Sequence, residues 1–344
     1  MRISQRYGTT AVSVPASGYV LDRYLAQGGA TAGVHTVQQV ATGGPTGIPY
    51  FMRCTTTTPD ASPASGAYYL FSQMIEQHNI NDFAFSTASA SSICLSFYIR
   101  IHSAAGAKVF GGSIRNGANN RSYPWTVTVP GVDAWYPVSV VIAGDTTGTW
   151  TGTDTSSGMS VNFDLGSGSS NQEASGAWVT GNYLAPNIGG HYQMIVTDDD
   201  YVDITAVQLV KGTTAPTFLP RSYAEELRLC QRYYQKSYSP GTTPGTAAGT
   251  GVYFINGLDT VINTAGYGYV FFPVIMRATP TPSVYGLEGG ANKISNASGT
   301  DLAASSGTYY AESDHGFLVI NASGGDVTTS LKSWRCHWTA SSEL

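Results

Sequence analysis

Apolar residues recur at every second position through most of this chain. Ile93, Leu95, Phe97, Ile99 and Ile101 alternate with Cys94, Ser96, Tyr98 and Arg100. Side chains of a strand point to opposite faces in turn, so this run predicts a strand with one face in a core. The same period appears in Tyr69, Phe71, Gln73 and Ile75, in Trp125, Val127 and Val129, and in Met159, Val161, Phe163 and Leu165. Residues 135–143 are more continuously apolar and predict a central strand, and residues 203–210 close the series. Strands at this spacing, with no helical period between them, predict an all-β chain whose residues 1–219 form an antiparallel jelly-roll or β-sandwich.

One segment changes period. Ser222 and Glu225 have the spacing of a capping box, just after Pro220. Behind them Tyr223, Leu227, Cys230 and Tyr234 fall on one helical stripe, with Leu229 and Tyr233 beginning a second. A connecting α-helix is expected over about 222–237. A helix of about 15 residues is marginal alone in water. It is therefore expected to pack between the sandwich and the C-terminal part of the chain, or between protomers, with Tyr223, Leu227 and Tyr234 at the interface. Residues 220–240 read as helix and linker. Residues 241–344, after a Pro/Gly/Thr-rich stretch, return to strands and predict a smaller C-terminal β domain. No repeat of 20–50 residues, no heptad and no Gly-X-Y period appears.

Composition narrows the function. Charged residues make up 11% of the 344 positions, against roughly 25% in ordinary globular proteins, while Tyr alone numbers 22. The surface must then be covered by uncharged polar groups and tyrosine, which suits sugar faces and protein contacts. Net charge is -5 and no Lys/Arg run occurs, which argues against a nucleic-acid partner. Residues 1–5 contain no apolar stretch of signal-peptide type, and no run of 18 apolar residues predicts membrane insertion. The opening on a Ser-Gln-Arg segment suggests a fragment of a longer protein, or an anchoring part that belongs to another chain. Cys54, Cys94, Cys230 and Cys336 show no CxxC spacing; Cys94 and Cys230 sit in apolar patterns and are expected as buried free thiols from a reducing compartment.

Searched for chemistry, the chain offers no HExxH, P-loop or GxSxG motif. The six histidines are scattered. Asp198, Asp199 and Asp200, with Asp203 close by, are the densest acidic group; they could hold a structural calcium ion or form a solvated turn. A glycosidase needs two opposed carboxylates, and no local signature promotes a pair. Aromatic rings can stack on the C–H face of a sugar. Trp125 and Trp135 lie on alternating strands and are expected in the core. Trp150 and Trp178, which follow Gly/Thr/Ser-rich loops, are the candidate ligand-binding residues, with Tyr183 and Tyr192.

Segment 218–234, FLPRSYAEELRLCQRYY, resembles a hallmark of bacteriophage and prophage tail-fibre-type proteins. It follows residues 208–212, QLVKG, where the family has a QLE-G turn; Val210 replaces the family's Glu. Supporting matches occur in the family's order at residues 3–6, 21–24, 74–76, 95–98 and 143–150. Residues 338–344, WTASSEL, are similar to the family's ending, with Ser for its usual Asp. The resemblance implies a sandwich like those of carbohydrate-binding modules (galactose-binding type), then a helix and a small β domain. It implies a non-enzymatic virion tail fibre or receptor-binding adhesin, made in the host bacterial cytoplasm and recognising bacterial surface polysaccharide. A homotrimer that contacts other virion tail proteins would fit, since fibres are commonly three-fold. The alternatives are a purely architectural virion protein, such as a head fibre or tail connector, and a polysaccharide depolymerase. No catalytic residue is carried over.

Overall fold

The computed structural model describes residues 1–14, 18–29, 32–150, 152–257, 267–302, 307–321 and 332–344. Strands dominate, with a single α-helix among the described residues. The chain divides into two compact units. One holds residues 1–2, 9–221 and 344; the other holds residues 3–8 and 222–343.

The larger unit is a sandwich of two antiparallel sheets. One sheet runs, in spatial order, Val12–Val14, Val34–Val40, Phe51–Thr58, Tyr201–Lys211, Ile93–His102 and Tyr136–Ile142. The other runs Val179–Thr180, Arg121–Val129, Lys108–Asn116, Ser157–Asp164, Tyr68–Glu76, Tyr24–Gly29 and Gly18–Leu21. Neighbours in space are often distant in sequence, as a jelly-roll-type winding requires. The alternation read from the sequence explains the core. Phe97 on the six-stranded sheet meets Trp125 at 5.8 Å and Phe163 at 5.2 Å on the seven-stranded one, and Trp125 meets Phe163 edge-on at 5.7 Å. Such pairs contribute about 0.5–1.5 kcal/mol each beyond the area they bury.

Two expectations are corrected here. Strand Tyr136–Ile142 is an edge strand, not a central one: among the described residues it pairs only with Ile93–His102. Its outward residues Pro137, Ser139 and Val141 are exposed, Val141 at 48%. A proline is tolerated where one side of the ladder is free. Trp135 lies half-buried on the outer side of the six-stranded sheet, edge-on to Phe51 at 5.2 Å. Trp125 is core, at 1% exposure.

In the smaller unit, strand Lys332–Ser341 is the spine. It pairs along one half with Tyr253–Gly257, and along the other with Tyr234–Lys236 and Thr281–Tyr285. A three-stranded sheet of Tyr267–Phe271, Gly316–Asn321 and Gly307–Ser313 supplies Phe317 and Val319 to a core shared with Ile255, Met276, Trp334 and Trp338. The helix spans Tyr223–Gln231. Ser222 Oγ accepts the Glu225 N–H at 3.2 Å, as the capping box predicts. It stops before the predicted 237 because Tyr234, Gln235 and Lys236 pair with the C-terminal strand instead. Only Cys230 of the stripe is fully buried on the helix; Leu227 is half-buried and Tyr223 exposed. Tyr234 is buried on its strand, with the Arg6 guanidinium 3.7 Å over its ring. All four cysteines are free and buried.

Candidate functional site

Between the strands Tyr68–Glu76 and Ile93–His102 the chain makes two short 3-10 turns, Gln77–Asn79 and Asn81–Phe83. The turns end at Ala84, and Ala84 and Ser86 both take left-handed backbone conformations, with φ of 54° and 68°. Non-glycine residues adopt this region at a cost of about 1–2 kcal/mol each. The pair brackets Phe85. Residues 143–150, AGDTTGTW, approach from the other side. Ser86 Oγ accepts the Trp150 N–H at 3.0 Å and donates to Gly148 O at 2.9 Å. The indole of Trp150 then meets Phe85 edge-on at 4.7 Å and Trp178 at 5.2 Å. Trp178 also meets Phe85 at 5.7 Å and Tyr123 at 5.3 Å.

Asp145 anchors this cluster. Its Oδ2 accepts the Trp150 indole N–H at 2.9 Å and Arg121 Nε at 2.8 Å; its Oδ1 accepts Arg121 Nη2 at 2.7 Å and two donors of Thr147. Burial pushes the Asp145 carboxyl up, but hydrogen bonds from Arg121, Trp150 and Thr147, with the Arg121 charge, outweigh it and hold it below its ordinary pKa. The second tryptophan is fixed by its own indole N–H, which donates to Ala143 O at 2.7 Å.

Beside this cluster opens a cleft of about 510 Å³. Trp150, Phe85 and Ile80 give it an apolar wall, and Gln77, Asn81, Thr149, Ser156 and Ser157 give it amides and hydroxyls. None of the described lining residues carries a formal charge. Gly117 lies where a Cβ would come within 1.8 Å of Ser157 O, so only glycine allows the two loops to meet there.

The structure therefore brings Trp150 and Trp178 together and sets Trp150 on a cleft. Among the described residues no ring contact joins Tyr183 or Tyr192 to them. Tyr183 is half-buried, its ring against Gly181, and Tyr192 is buried with its hydroxyl on Asp200 at 3.0 Å. Asp198 and Asp199 are exposed. Asp203, buried, is gripped by Arg53 at 2.8 Å and by Arg100 at 2.6 Å. No group of three or more His, Cys, Asp or Glu is placed to hold a metal ion among the described residues. No described helix is long and apolar enough to cross a membrane. The sequence reading missed Phe85, Gln77 and Asn81, which lie in turns without period; the neighbouring motif 143–150 was the available signal.

Fold and cleft together define a two-sheet β-sandwich module with an uncharged cleft walled in part by aromatic rings. No protein-family model and no curated protein matches the chain. Among solved structures it is similar to a family 11 carbohydrate-binding module from Clostridium thermocellum in complex with a β-1,3-1,4-mixed-linked tetrasaccharide. That match has 10% identity and a TM-score of 0.28, over 56% of this chain and 91% of that one. It is similar to a CBM22-1 xylan-binding domain from Paenibacillus barcinonensis, at 10% identity and a TM-score of 0.28, over 61% of this chain and 99% of that one. A third is the enzymatically active domain of tailspike protein 4 of bacteriophage CBA120, at 10% identity and a TM-score of 0.28, over 55% of this chain but 19% of that one. Scores this low carry no function across.

Proposed function

We propose that the chain is a non-enzymatic adhesin of a bacteriophage virion, of tail-fibre type, and that its Phe85–Trp150 cleft takes a neutral stretch of bacterial surface polysaccharide. The observation that carries the binding reading is the cleft's chemistry. The half-buried Trp150 indole, backed by the buried Phe85 ring, offers its surface to sugar C–H groups, and uncharged amides and hydroxyls stand around it to exchange hydrogen bonds with sugar hydroxyls. Asp145, the acid nearest Trp150, already accepts five donors, which suits a scaffold more than a catalyst. The virion assignment is supported by the run of resembling segments from residue 3 to residue 344. Display as a homotrimer would multiply a weak sugar contact by avidity.

The test is to incubate the purified chain with a panel of bacterial surface polysaccharides and follow bound protein and polymer size together. Binding with constant polymer size is the expected result. Progressive shortening of a polymer would replace the adhesin by a depolymerase, and absence of binding across the panel would leave an architectural role.

A further inference from the structure

The outer face of the six-stranded sheet carries two rows of polar and aromatic side chains that the cleft does not use. Pairing of the strands Val34–Val40, Phe51–Thr58, Tyr201–Lys211 and Ile93–His102 sets Gln38, Arg53, Asp203 and Arg100 abreast. Two residues along each strand, and so on the same face, Thr36, Thr55, Tyr201 and His102 form the second row. Aromatic rings hold the guanidiniums in place. Tyr201 stacks on His102 at 4.7 Å and has the Arg53 guanidinium 3.8 Å over its ring, while the Arg100 guanidinium lies 4.8 Å over Trp135.

Both arginines converge on the buried Asp203. Arg53 donates to it through Nε at 2.8 Å and Nη2 at 2.9 Å, and Arg100 through Nε at 2.8 Å and Nη2 at 2.6 Å. Two positive charges thus meet one negative charge, and no other carboxylate pairs with either arginine among the described residues. Arg100 Nη1 turns to Gly43 O at 3.5 Å. Arg53 Nη1 meets no acceptor among the described residues. Asp203 occupies only the Nε–Nη2 edge of Arg53, so its outer Nη1–Nη2 edge keeps an N–H on each nitrogen. That edge is a planar fork of the kind that grips a carboxylate with two parallel hydrogen bonds. Solvent reaches these groups, since the Arg53 side chain is 24% exposed and that of Arg100 is 18% exposed. Gln38, Thr36 and Thr55, each half-buried, set an amide and two hydroxyls beside Arg53. Asp133, the acid paired with His102, is exposed, and water screens its charge.

We infer that this face is a second saccharide site, in which the outer edge of Arg53 takes the carboxylate of an acidic sugar and Gln38, Thr36 and Thr55 meet its hydroxyls. The inference rests on the glycan-binding reading of the chain but not on the aromatic cleft. It makes the preferred polymer one that carries uronic or sialic acid residues.

The experiment titrates the whole chain with D-glucuronate, D-galacturonate and N-acetylneuraminate. Glucose and galactose are the neutral controls, and acetate is the control for a bare carboxylate. The Nε–H resonance of Arg53, assigned through the bonds of its own side chain, is followed by NMR. At least one acid sugar should move this resonance saturably, at concentrations where acetate and the neutral sugars leave it in place. Added sodium chloride should weaken the response, as expected of a partly exposed charge pair. Arg53→Lys keeps the charge beside Asp203 but removes the fork. It should weaken the acid sugar by about tenfold or more, the range of one charge-assisted hydrogen bond, with binding then read from saturation transfer to the sugar's own protons. Trp150→Ala should leave the Arg53 response intact, so failure of the cleft and failure of this site read out separately. If no acid sugar moves the resonance, if acetate or a neutral sugar moves it equally, or if acid binding survives Arg53→Lys unchanged, the assignment is wrong.

Discussion

Trp150 and Asp145 share a hydrogen bond of 2.9 Å from the indole N–H to Oδ2, and Arg121 Nε reaches that same oxygen at 2.8 Å. The cleft wall is thus bolted to a buried ion pair, which makes Asp145 a positioning residue. Asp145→Ala should cost about 2–3 kcal/mol, since it strands the Arg121 guanidinium and leaves the indole N–H unpaired. It should also shift tryptophan emission to longer wavelength. Urea unfolding followed by fluorescence checks both; an unchanged midpoint and unchanged emission would separate Trp150 from Asp145.

His35 is fully buried in the sandwich, with neither ring nitrogen partnered among the described residues, and burial lowers its pKa to about 4. A depressed histidine stays neutral in the folded state while the unfolded chain takes up a proton. Its contribution is therefore present above pH 6.5 and lost as pH falls from 6.5 towards 4, by up to about 3 kcal/mol. His191 is lowered to about 4 in the same way. Asp164, raised to about 7 by burial, acts in the opposite sense and gains stability as pH falls through 7. His35→Leu isolates the first effect. It should be neutral or stabilising by about 1 kcal/mol at pH 7, because no hydrogen bond is lost, and the fall in stability between pH 6.5 and 4.5 should become shallower. An unchanged pH slope in urea titrations would contradict this.

Three segments far apart in the chain meet in the smaller unit. Gln5 Nε2 donates to Tyr234 O at 2.9 Å, Arg6 lies over the Tyr234 ring, and Arg6 pairs with Glu343 at 3.0 Å. The pair is largely buried, and a cation over an aromatic face adds about 0.5–2 kcal/mol. Arg6→Ala should lower the stability of that unit by about 1–3 kcal/mol. Calorimetry of the whole chain checks this; a thermogram identical to that of the unaltered protein would mean that the amino-terminal segment adds nothing.

Leu227 separates what a helical stripe implies from what packing delivers. The stripe places it at the centre of the buried face, where alanine would cost about 2–5 kcal/mol. It is half-buried instead, so Leu227→Ala should cost about 1–2 kcal/mol. Chemical denaturation distinguishes the two values.

The sandwich was legible because alternation is local: Phe97, Trp125 and Phe163 each sit in a period-two run, and each is found in the core. Strand order was not legible. The strand Tyr136–Ile142 read as central because its inward and outward residues are both largely apolar, and only pairing reveals an edge. The helix was overextended at Tyr234 because tertiary strand pairing overrode a helical stripe. Trp150 could be singled out from its loop, whereas Phe85 depends on two left-handed residues that nothing in the local pattern announces.

The most direct measurement compares the unaltered chain with Trp150→Ala for affinity to whichever polysaccharide of the panel it binds, with melting temperature recorded for both. The cleft reading predicts that the variant stays folded and loses affinity by about tenfold or more, since a stacked ring contributes about 1–3 kcal/mol to such a contact. Equal affinity in a folded variant would contradict it and move the binding surface elsewhere on the chain.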